Sequence, residues 1–563
     1  MEIIMFLAAM LLFLFVIYGH EAYKAKKREQ QFIESLYQDY GKLPDKEYSP
    51  ERYVRIASYY KNHIEDGQID DITWNDLNMD DIFKRINYTF SASGEEYLYY
   101  TLRNINRSKQ ELIHLEEVVK FFEEHPDERV KIQFLMSRLG HTGKYSLYDY
   151  LDNLDYLGER SSRKHILMDL LYIPLLLLMP FRFSLAMMGI IVLIIYNMVS
   201  YFKEKGEIEP YIISFAYIMR LIDTAKKMTA VAVPTCSNEW QEIKQCVRVL
   251  DGMKRGSFWV FTTGKNATSG NPLDMILDYL KMIFHVDLIK FNKMLSQLQL
   301  HLKDIDSLIT LVGYVESAIA IGALRASLEE YSVPELLETE TKDILSIKDA
   351  YHLLIENPVK NNITTDRGVL LTGSNASGKS TFLKTVALNA ILAQTIHTCT
   401  ASEYRAPFFA IYSSMSLRDS IDSGESYYIV EIKALKRILD AAEQSDRRVL
   451  CFVDEVLRGT NTVERIAAST QILLSLAADN ILCFAATHDI EMTELLKDFY
   501  ENYHFEEDIR EGDVFFNYRL MQGKAVTRNA IKLLEIMGYD AAIIEKATVQ
   551  AQRFVTTGNW EPV

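Results

Sequence analysis

The sequence predicts a multidomain protein. An α-helical core and lever region carries transmembrane helices, and a C-terminal α/β domain is built around a phosphate-binding loop. Three observations predict it. Residues 373–380 complete the pattern G-x-x-x-x-G-K-[ST]. Residues 351–563 alternate strand-like and helix-like segments, whereas most of the preceding chain has helical periodicity. Apolar runs of membrane character lie at the N-terminus and in mid-chain.

The loop reads Gly373, Ser374, Asn375, Ala376, Ser377, Gly378, Lys379, Ser380, with Thr381 next. From average residue usage, a chain of this length shows the pattern by chance only about 0.02 times. The apolar run 368–372 before it has strand character. Phe382, Val386 and residues 388–392 after it have helical spacing. Glycines let backbone N–H groups turn inward around phosphate oxygens, and a helix N-terminus adds partial positive charge. Lys379 can reach the β- and γ-phosphates of ATP, and the Ser380 hydroxyl can hold Mg²⁺. The bland alternative is a Gly/Ser turn with an incidental lysine.

The 563 residues suffice for roughly two to four domains. The net charge of −16 argues against a surface coated for tight, nonspecific DNA binding, although a local basic patch remains open. Cys236, Cys246, Cys399, Cys451 and Cys483 are scattered and lack C-x-x-C spacing. They read as buried reduced thiols of a cytosolic body, not as a metal site or a disulfide framework.

Residues 3–18 are an unbroken apolar run. At helical rise they cover roughly 24 Å, slightly short of a bilayer core of about 30 Å. A cleaved signal peptide is the rival reading. Against it, no Lys or Arg precedes the run and no clear small-x-small site follows. Lys24, Lys26, Lys27 and Arg28 put the N-terminus outside and the rest inside. A second element comprises residues 170–181 and 183–202, parted by Pro180-Phe181-Arg182. Arg160, Arg163 and Lys164 precede it, and Lys203 and Lys205 follow it, as a hairpin with cytosolic ends requires. A buried hairpin inside a soluble domain is the alternative. The expected location is the cell membrane, multi-pass, with the nucleotide domain cytoplasmic.

The expected organisation is a transmembrane helix at 1–20, a juxtamembrane connector at 21–70 and a first part of the helical core at 71–165. A transmembrane hairpin at 166–202, a core and lever part at 203–350 and the nucleotide domain at 351–563 follow. Residues 275–328 repeat apolar positions at three- and four-residue spacing, as in a long lever-like helix, a helical pair or an ordinary bundle.

In the last domain, apolar residues 449–453 end in Asp454-Glu455. A strand here delivers Asp454 to Mg²⁺ and Glu455 to the attacking water. The buried-type run 481–486 ends at Thr487-His488, where His488 can sense the γ-phosphate. Between these motifs and the loop, Ser423-Gly424-Glu425-Ser426 precedes a helix over 429–442. Gly424 and Ser426 form a second potential phosphate cradle, available to a neighbouring subunit; a helix-capping loop is the bland reading.

These residues resemble the MutS family of mismatch-repair ATPases. The resemblance rests on the loop, segment 419–431, Asp454-Glu455 with Arg458-Gly459-Thr460-Asn461-Thr462, and Thr487-His488. The Asn357-Pro358-Val359 turn and residues 523–547 match as well. A weaker resemblance links residues 79–83, with Thr89 and Gly94, and residues 304–315 to that family's core. It implies an ATPase of ABC type, dimeric, with Gly424 and Ser426 of one subunit touching the γ-phosphate held by the other. It also implies DNA binding. Yet the chain is expected to lack the family's N-terminal mismatch-recognition and connector domains. A membrane hairpin stands where a DNA clamp would project. Ser374, Ala376, Ser377 and Leu457 also depart from common repair sequences, Leu457 replacing a glycine. Phe32-Ile33-Glu34 spells the mismatch-reading F-x-E, but in a juxtamembrane connector. An ATP-driven DNA-structure sensor and an ATP switch acting on a membrane or unknown protein partner therefore compete. A transporter is disfavoured by three short spans and the lack of a Leu-Ser-Gly-Gly-Gln signature.

Overall fold

A computed structural model describes the chain except residues 1, 144, 159, 255–256, 262–271, 339–344, 375–376, 416–426, 458–460, 511–512, 525–529, 559 and 561–563. The described residues form two compact units. The first joins Met1–Ile64, Ile86–Tyr100 and His114–Ser327; the second joins Glu65–Arg85, Thr101–Ile113 and Leu328–Val563. Two short segments from the sequence-drawn core thus belong with the nucleotide domain.

The first unit is helical. Helix Leu302–Ala326 is apolar enough to cross a membrane, yet 83% of its most apolar window is buried. Ile305, Leu308, Val312, Val315 and Ile319 give it a core stripe at helical spacing. Its polar residues are held internally. Glu316 accepts hydrogen bonds from the Phe90 and Ser91 N–H groups and the Ser91 hydroxyl. Burial, the main cause, lifts its carboxyl to about 7. The Arg325 guanidinium forks onto Glu116 at 3.0 and 2.6 Å, with both side chains buried.

Residues 275–328 are neither one lever nor a pair. They fall in three helices, Pro272–Phe284, Val286–Leu300 and Leu302–Ala326. The first break sits at His285, whose φ of 47° cannot continue a right-handed helix. Elsewhere, helices run through the composition shifts. Helix Glu2–Gln38 continues past residue 20, and helix Phe183–Met228 continues past residue 202 despite Pro210.

The second unit contains β1 (Glu335–Leu337), β2 (Leu345–Ala350), β3 (Asn361–Thr365), β4 (Gly368–Thr372), β5 (Glu403–Pro407) and β6 (Phe409–Ser414). After these come β7 (Arg448–Asp454), β8 (Ile481–Ala486), β9 (Tyr500–His504), β10 (Glu507–Arg510), β11 (Asp513–Phe516) and β12 (Met521–Gln522). The main sheet has the order β12-β9-β4-β8-β7-β6, with every pair parallel except β12 with β9. β4 and β8 are buried at every position, as strands covered on both faces must be. A mixed sheet, β1-β5-β2-β3, and the β10-β11 ribbon accompany it. All five cysteines are free and buried.

Gly313 is a point of close packing within the first unit. A Cβ there would lie 2.5 Å from the Tyr97 Cβ and 2.7 Å from the Ser93 carbonyl oxygen. Gly313→Ala is expected to destabilise this unit by about 1–3 kcal/mol, because backbone must move to admit it. Thermal unfolding of the purified chain checks this; an unchanged midpoint would show that the contact yields freely.

Candidate functional site

Parallel register gathers the motifs at one sheet edge. Leu371 pairs with Ala486, and Asp454 pairs with Ala486 from the other side. The loop after β4, the acids after β7 and Thr487-His488 after β8 therefore emerge together at the carboxyl ends of adjacent strands. Ligands of open α/β sheets collect at that edge.

Gly373 has φ of 143° and Gly378 has φ of 111°, a region that favours glycine. A Cβ on Gly373 would lie 2.7 Å from the Phe505 carbonyl oxygen. Gly378 is the N-cap of helix Lys379–Thr395, which has no side-chain cap. The Lys379 ammonium donates to the Gly373 and Ser374 carbonyl oxygens at 2.7 Å each. Ser374 donates to Glu507. The Ser377 hydroxyl is buried and has no hydrogen-bond partner among the described residues. Ser380 donates to Asp454 Oδ2, which brings the two expected metal ligands together. Thr381 follows in the first turn and lines the same cavity. Asn375 and Ala376 lie outside the described residues, as do Gly424, Ser426 and Arg458-Gly459-Thr460.

Glu455 sits at φ of 57°, with its N–H donating to the Ala486 carbonyl at 2.9 Å. Its carboxylate meets His488 Nε2 at 2.8 Å. The two residues singled out as base and sensor are thus direct neighbours. Arg465 forks onto Asp489 at 3.0 and 2.6 Å, and the Asp489 N–H donates to Thr487 Oγ1, which fixes the turn that carries His488.

Several residues at the site escaped sequence reasoning. Glu431, buried on helix Tyr427–Gln444, accepts the Leu457 N–H and so fastens that helix to the turn after Glu455. Beside the loop lies a cavity of about 670 Å³. Tyr351, His352, Ile355, Pro358, Phe505 and Tyr518 are among its walls. Phe505 meets Phe382 edge-on at 5.8 Å. Asn361 pins the Tyr518 segment by donating to the Tyr518 carbonyl at 2.9 Å and accepting from the Leu520 N–H at 2.8 Å. Only the Asn357-Pro358-Val359 turn hinted at this wall.

The donor set fits a nucleotide with Mg²⁺. A glycine cradle too tight for a Cβ, an uncapped helix start, a buried ammonium and an orphaned buried hydroxyl suit phosphate oxygens. A hydroxyl and a carboxylate side by side suit a hard, oxygen-seeking cation. The aromatic and apolar wall suits a planar base.

A parallel sheet with a glycine loop feeding a helix N-terminus defines the class of phosphate-loop α/β domains. The sequence agrees at finer grain: residues 369–555 match MutS domain V. It is similar to MutS protein homolog 4 of Homo sapiens, 28% identical over 332 residues, covering 54% of this chain and 34% of that protein. It is also similar to DNA mismatch repair protein MutS of Thermus thermophilus, 32% identical over 180 residues, covering 32% of this chain and 22% of that one. For the protein of the same name from Pseudothermotoga lettingae the identity is 34% over 201 residues, covering 34% and 24%. The match spans about a third or less of the length of these relatives.

Burial, and secondarily the Lys384 ammonium, lower the His352 imidazole to about 4. The folded unit therefore holds His352 neutral, whereas the unfolded chain protonates it near 6.5. Its contribution is present above the unfolded pKa and lost as pH falls from about 6.5 towards 4. Between pH 7 and pH 5 the parent is expected to lose roughly 1–2 kcal/mol more stability than His352→Gln. Urea unfolding of both proteins at the two pH values checks this; equal losses would mean that His352 titrates alike in both states.

Proposed function

We propose that this chain is a membrane-anchored MutS-type ATPase that binds ATP with Mg²⁺ and hydrolyses it in a site shared by two subunits. The observation that carries the reading is the meeting of the loop, Asp454 and the Glu455–His488 pair at one sheet edge. Lys379 and the first N–H groups of helix Lys379–Thr395 neutralise the phosphate oxygens. Ser380 and Asp454 would hold Mg²⁺, which would supply further charge neutralisation of the phosphates. Glu455 takes a proton from the attacking water. His488, in contact with the Glu455 carboxylate, keeps it aimed and faces the γ-phosphate. Tyr351, Phe505 and Tyr518 receive the base.

DNA, mismatched or structured, is the first candidate ligand, because the bacterial relatives are DNA mismatch repair proteins. The second reading is a conformational switch acting on a membrane or protein partner, with DNA binding lost. A specific observation favours it. The most apolar window of helix Phe183–Met228 has a mean hydropathy of 2.1 and is only 17% buried. An exposed apolar helix of this kind fits lipid better than water. The N-terminal run and this hairpin anchor the chain in the cell membrane, and the Lys/Arg distribution leaves the ATPase unit cytoplasmic.

Glu455→Gln is expected to retain ATP binding and to lose hydrolysis by about 100-fold or more, since phosphate and Mg²⁺ contacts remain while water activation goes. Lys379→Ala should weaken binding itself. Nucleotide titration beside steady-state phosphate release separates the two; parental turnover by Glu455→Gln would remove it from the role of base.

Sharing of the site is tested by mixing subunits. The same subunit's phosphate already has a complete loop at 373–380, so a second subunit is the natural user of the Gly424 and Ser426 motif. Ser426→Arg should block closure by bulk and misplaced charge and spare nucleotide binding. Paired with a Lys379→Ala subunit, one composite site carries both defects and the other carries neither. Partial ATPase activity is expected to return in the mixture. Mixed dimers without any activity would mean that each site is complete within one chain.

A further inference from the structure

We propose that the corner between helices Pro272–Phe284 and Val286–Leu300 is a third membrane contact, an interfacial element whose apolar face lies against lipid beside the hairpin. The proposal rests on the membrane reading above and adds a surface to it. Over residues 278–284, helix Pro272–Phe284 is inside out for a water-facing helix. Its Lys281 side chain is only 1% exposed and pairs inward with Asp278 at 3.2 Å. Tyr279, Leu280 and Phe284 point outward and are 53%, 37% and 37% exposed. Water selects the opposite arrangement, and lipid selects this one.

Hydrogen bonds tie the corner to the hairpin, while Asn197 Oδ1 and His285 Nδ1 are buried without a partner among the described residues. Helix Pro272–Phe284 ends at His285, and the Ile283 carbonyl accepts from Asn197 Nδ2 at 2.8 Å. The Asn197 carbonyl in turn accepts from His285 Nε2 at 3.0 Å. Asn197 is the only carboxamide in the apolar run 183–202 and is fully buried. Its side-chain N–H and its backbone carbonyl both engage the corner. Below it, Tyr201 donates to Asp287 at 2.9 Å and Lys205 pairs with the same carboxylate at 2.7 Å.

Depth and continuity agree with a lipid occupant. At the base of the hairpin Glu204 meets His165 at 2.9 Å and Lys164 at 3.5 Å, a charged level suited to the headgroups. Asn197, and with it the corner, lies about 10 Å of helix beyond Glu204. Interfacial helices bury their apolar faces to about 5–10 Å. The Phe284 ring lies 5.4 Å from the Tyr172 ring on the first limb, so the exposed face of the corner runs into that of the hairpin.

Nitroxide labels on introduced cysteines test this in the full chain, reconstituted into phosphatidylcholine–phosphatidylglycerol nanodiscs. The native cysteines are all buried, so labelling falls on the new ones. Tyr279→Cys probes the corner, with Leu280→Cys as a second site should the first misfold. Val192→Cys probes the hairpin, and Leu300→Cys reports exposed surface at the far end of the next helix. The reading is collisional relaxation by oxygen, which enriches in lipid, relative to a water-soluble nickel chelate. The oxygen-to-nickel ratio is expected to be several-fold higher at Tyr279→Cys and Val192→Cys than at Leu300→Cys. A high ratio at Val192→Cys with a Leu300-like ratio at both corner sites overturns the corner proposal and spares the membrane reading. Exclusion of both reagents from the corner also overturns it, in favour of a protein cover. A Leu300-like ratio at Val192→Cys overturns both.

Discussion

The site depends on one constraint: a tight glycine turn must deliver an uncapped helix start to the edge of a buried parallel sheet. β4 is covered on both faces, so its register with β8 and β9 is fixed by burial. Gly373 then has no room for a Cβ, and Gly378 opens helix Lys379–Thr395 without a side-chain cap. The first N–H groups of such a helix are the donors that an anion can use. Lys379, buried and bonded to the loop's own carbonyls, holds the turn in shape and adds a full positive charge beside those donors. Once β4 is placed, β8 and β7 follow in register and bring Asp454 and the turn of His488 to the same edge.

Polar groups buried in the helical unit do a different task. Glu316 accepts from two backbone N–H groups and a hydroxyl around residues 90–91, and Arg325 forks onto Glu116. Both lie on helix Leu302–Ala326, which would otherwise be a nearly featureless apolar rod. A charge or carboxyl that has one good partner set disfavours rotation or sliding of the helix, because a shift leaves it buried and unpaired. These contacts fix register where apolar packing alone would tolerate several arrangements.

How much was legible in the sequence follows from how each feature is built. The loop, the acid pair after β7 and the His488 turn are contiguous motifs at the ends of apolar strands, so spacing exposes them. The aromatic and apolar wall of the cavity is not contiguous. It combines residues 351–358 with Phe505 and Tyr518, and nothing in their local sequence marks them as neighbours. The lever breaks at His285 and His301 were hidden because the apolar period resumes after each one. Hydropathy was ambiguous for a physical reason. Leu302–Ala326 and Phe183–Met228 are both apolar enough to cross a bilayer, but only the surroundings tell a core helix from an exposed one.

Leu457 shows how the site holds a side-chain-bearing residue in a left-handed conformation. It stands where the resembling sequences carry glycine, and its φ of 59° is a conformation that costs a side-chain-bearing residue about 1 kcal/mol. Two contacts oppose that cost. Its N–H donates to the buried Glu431 carboxylate, a charge-assisted bond. Its side chain is buried among Val456, Leu473 and Met492 in the cluster behind the sheet edge. A glycine there would relax the backbone but lose this burial, and the turn carrying Glu455 would gain freedom. Glu455 is itself at φ of 57°, held by the Ala486 carbonyl and His488. Two strained residues within one turn, each tied to a different neighbour, keep the carboxylate at one place on the sheet edge. A carboxylate held at one place is what the proposed general-base role of Glu455 requires.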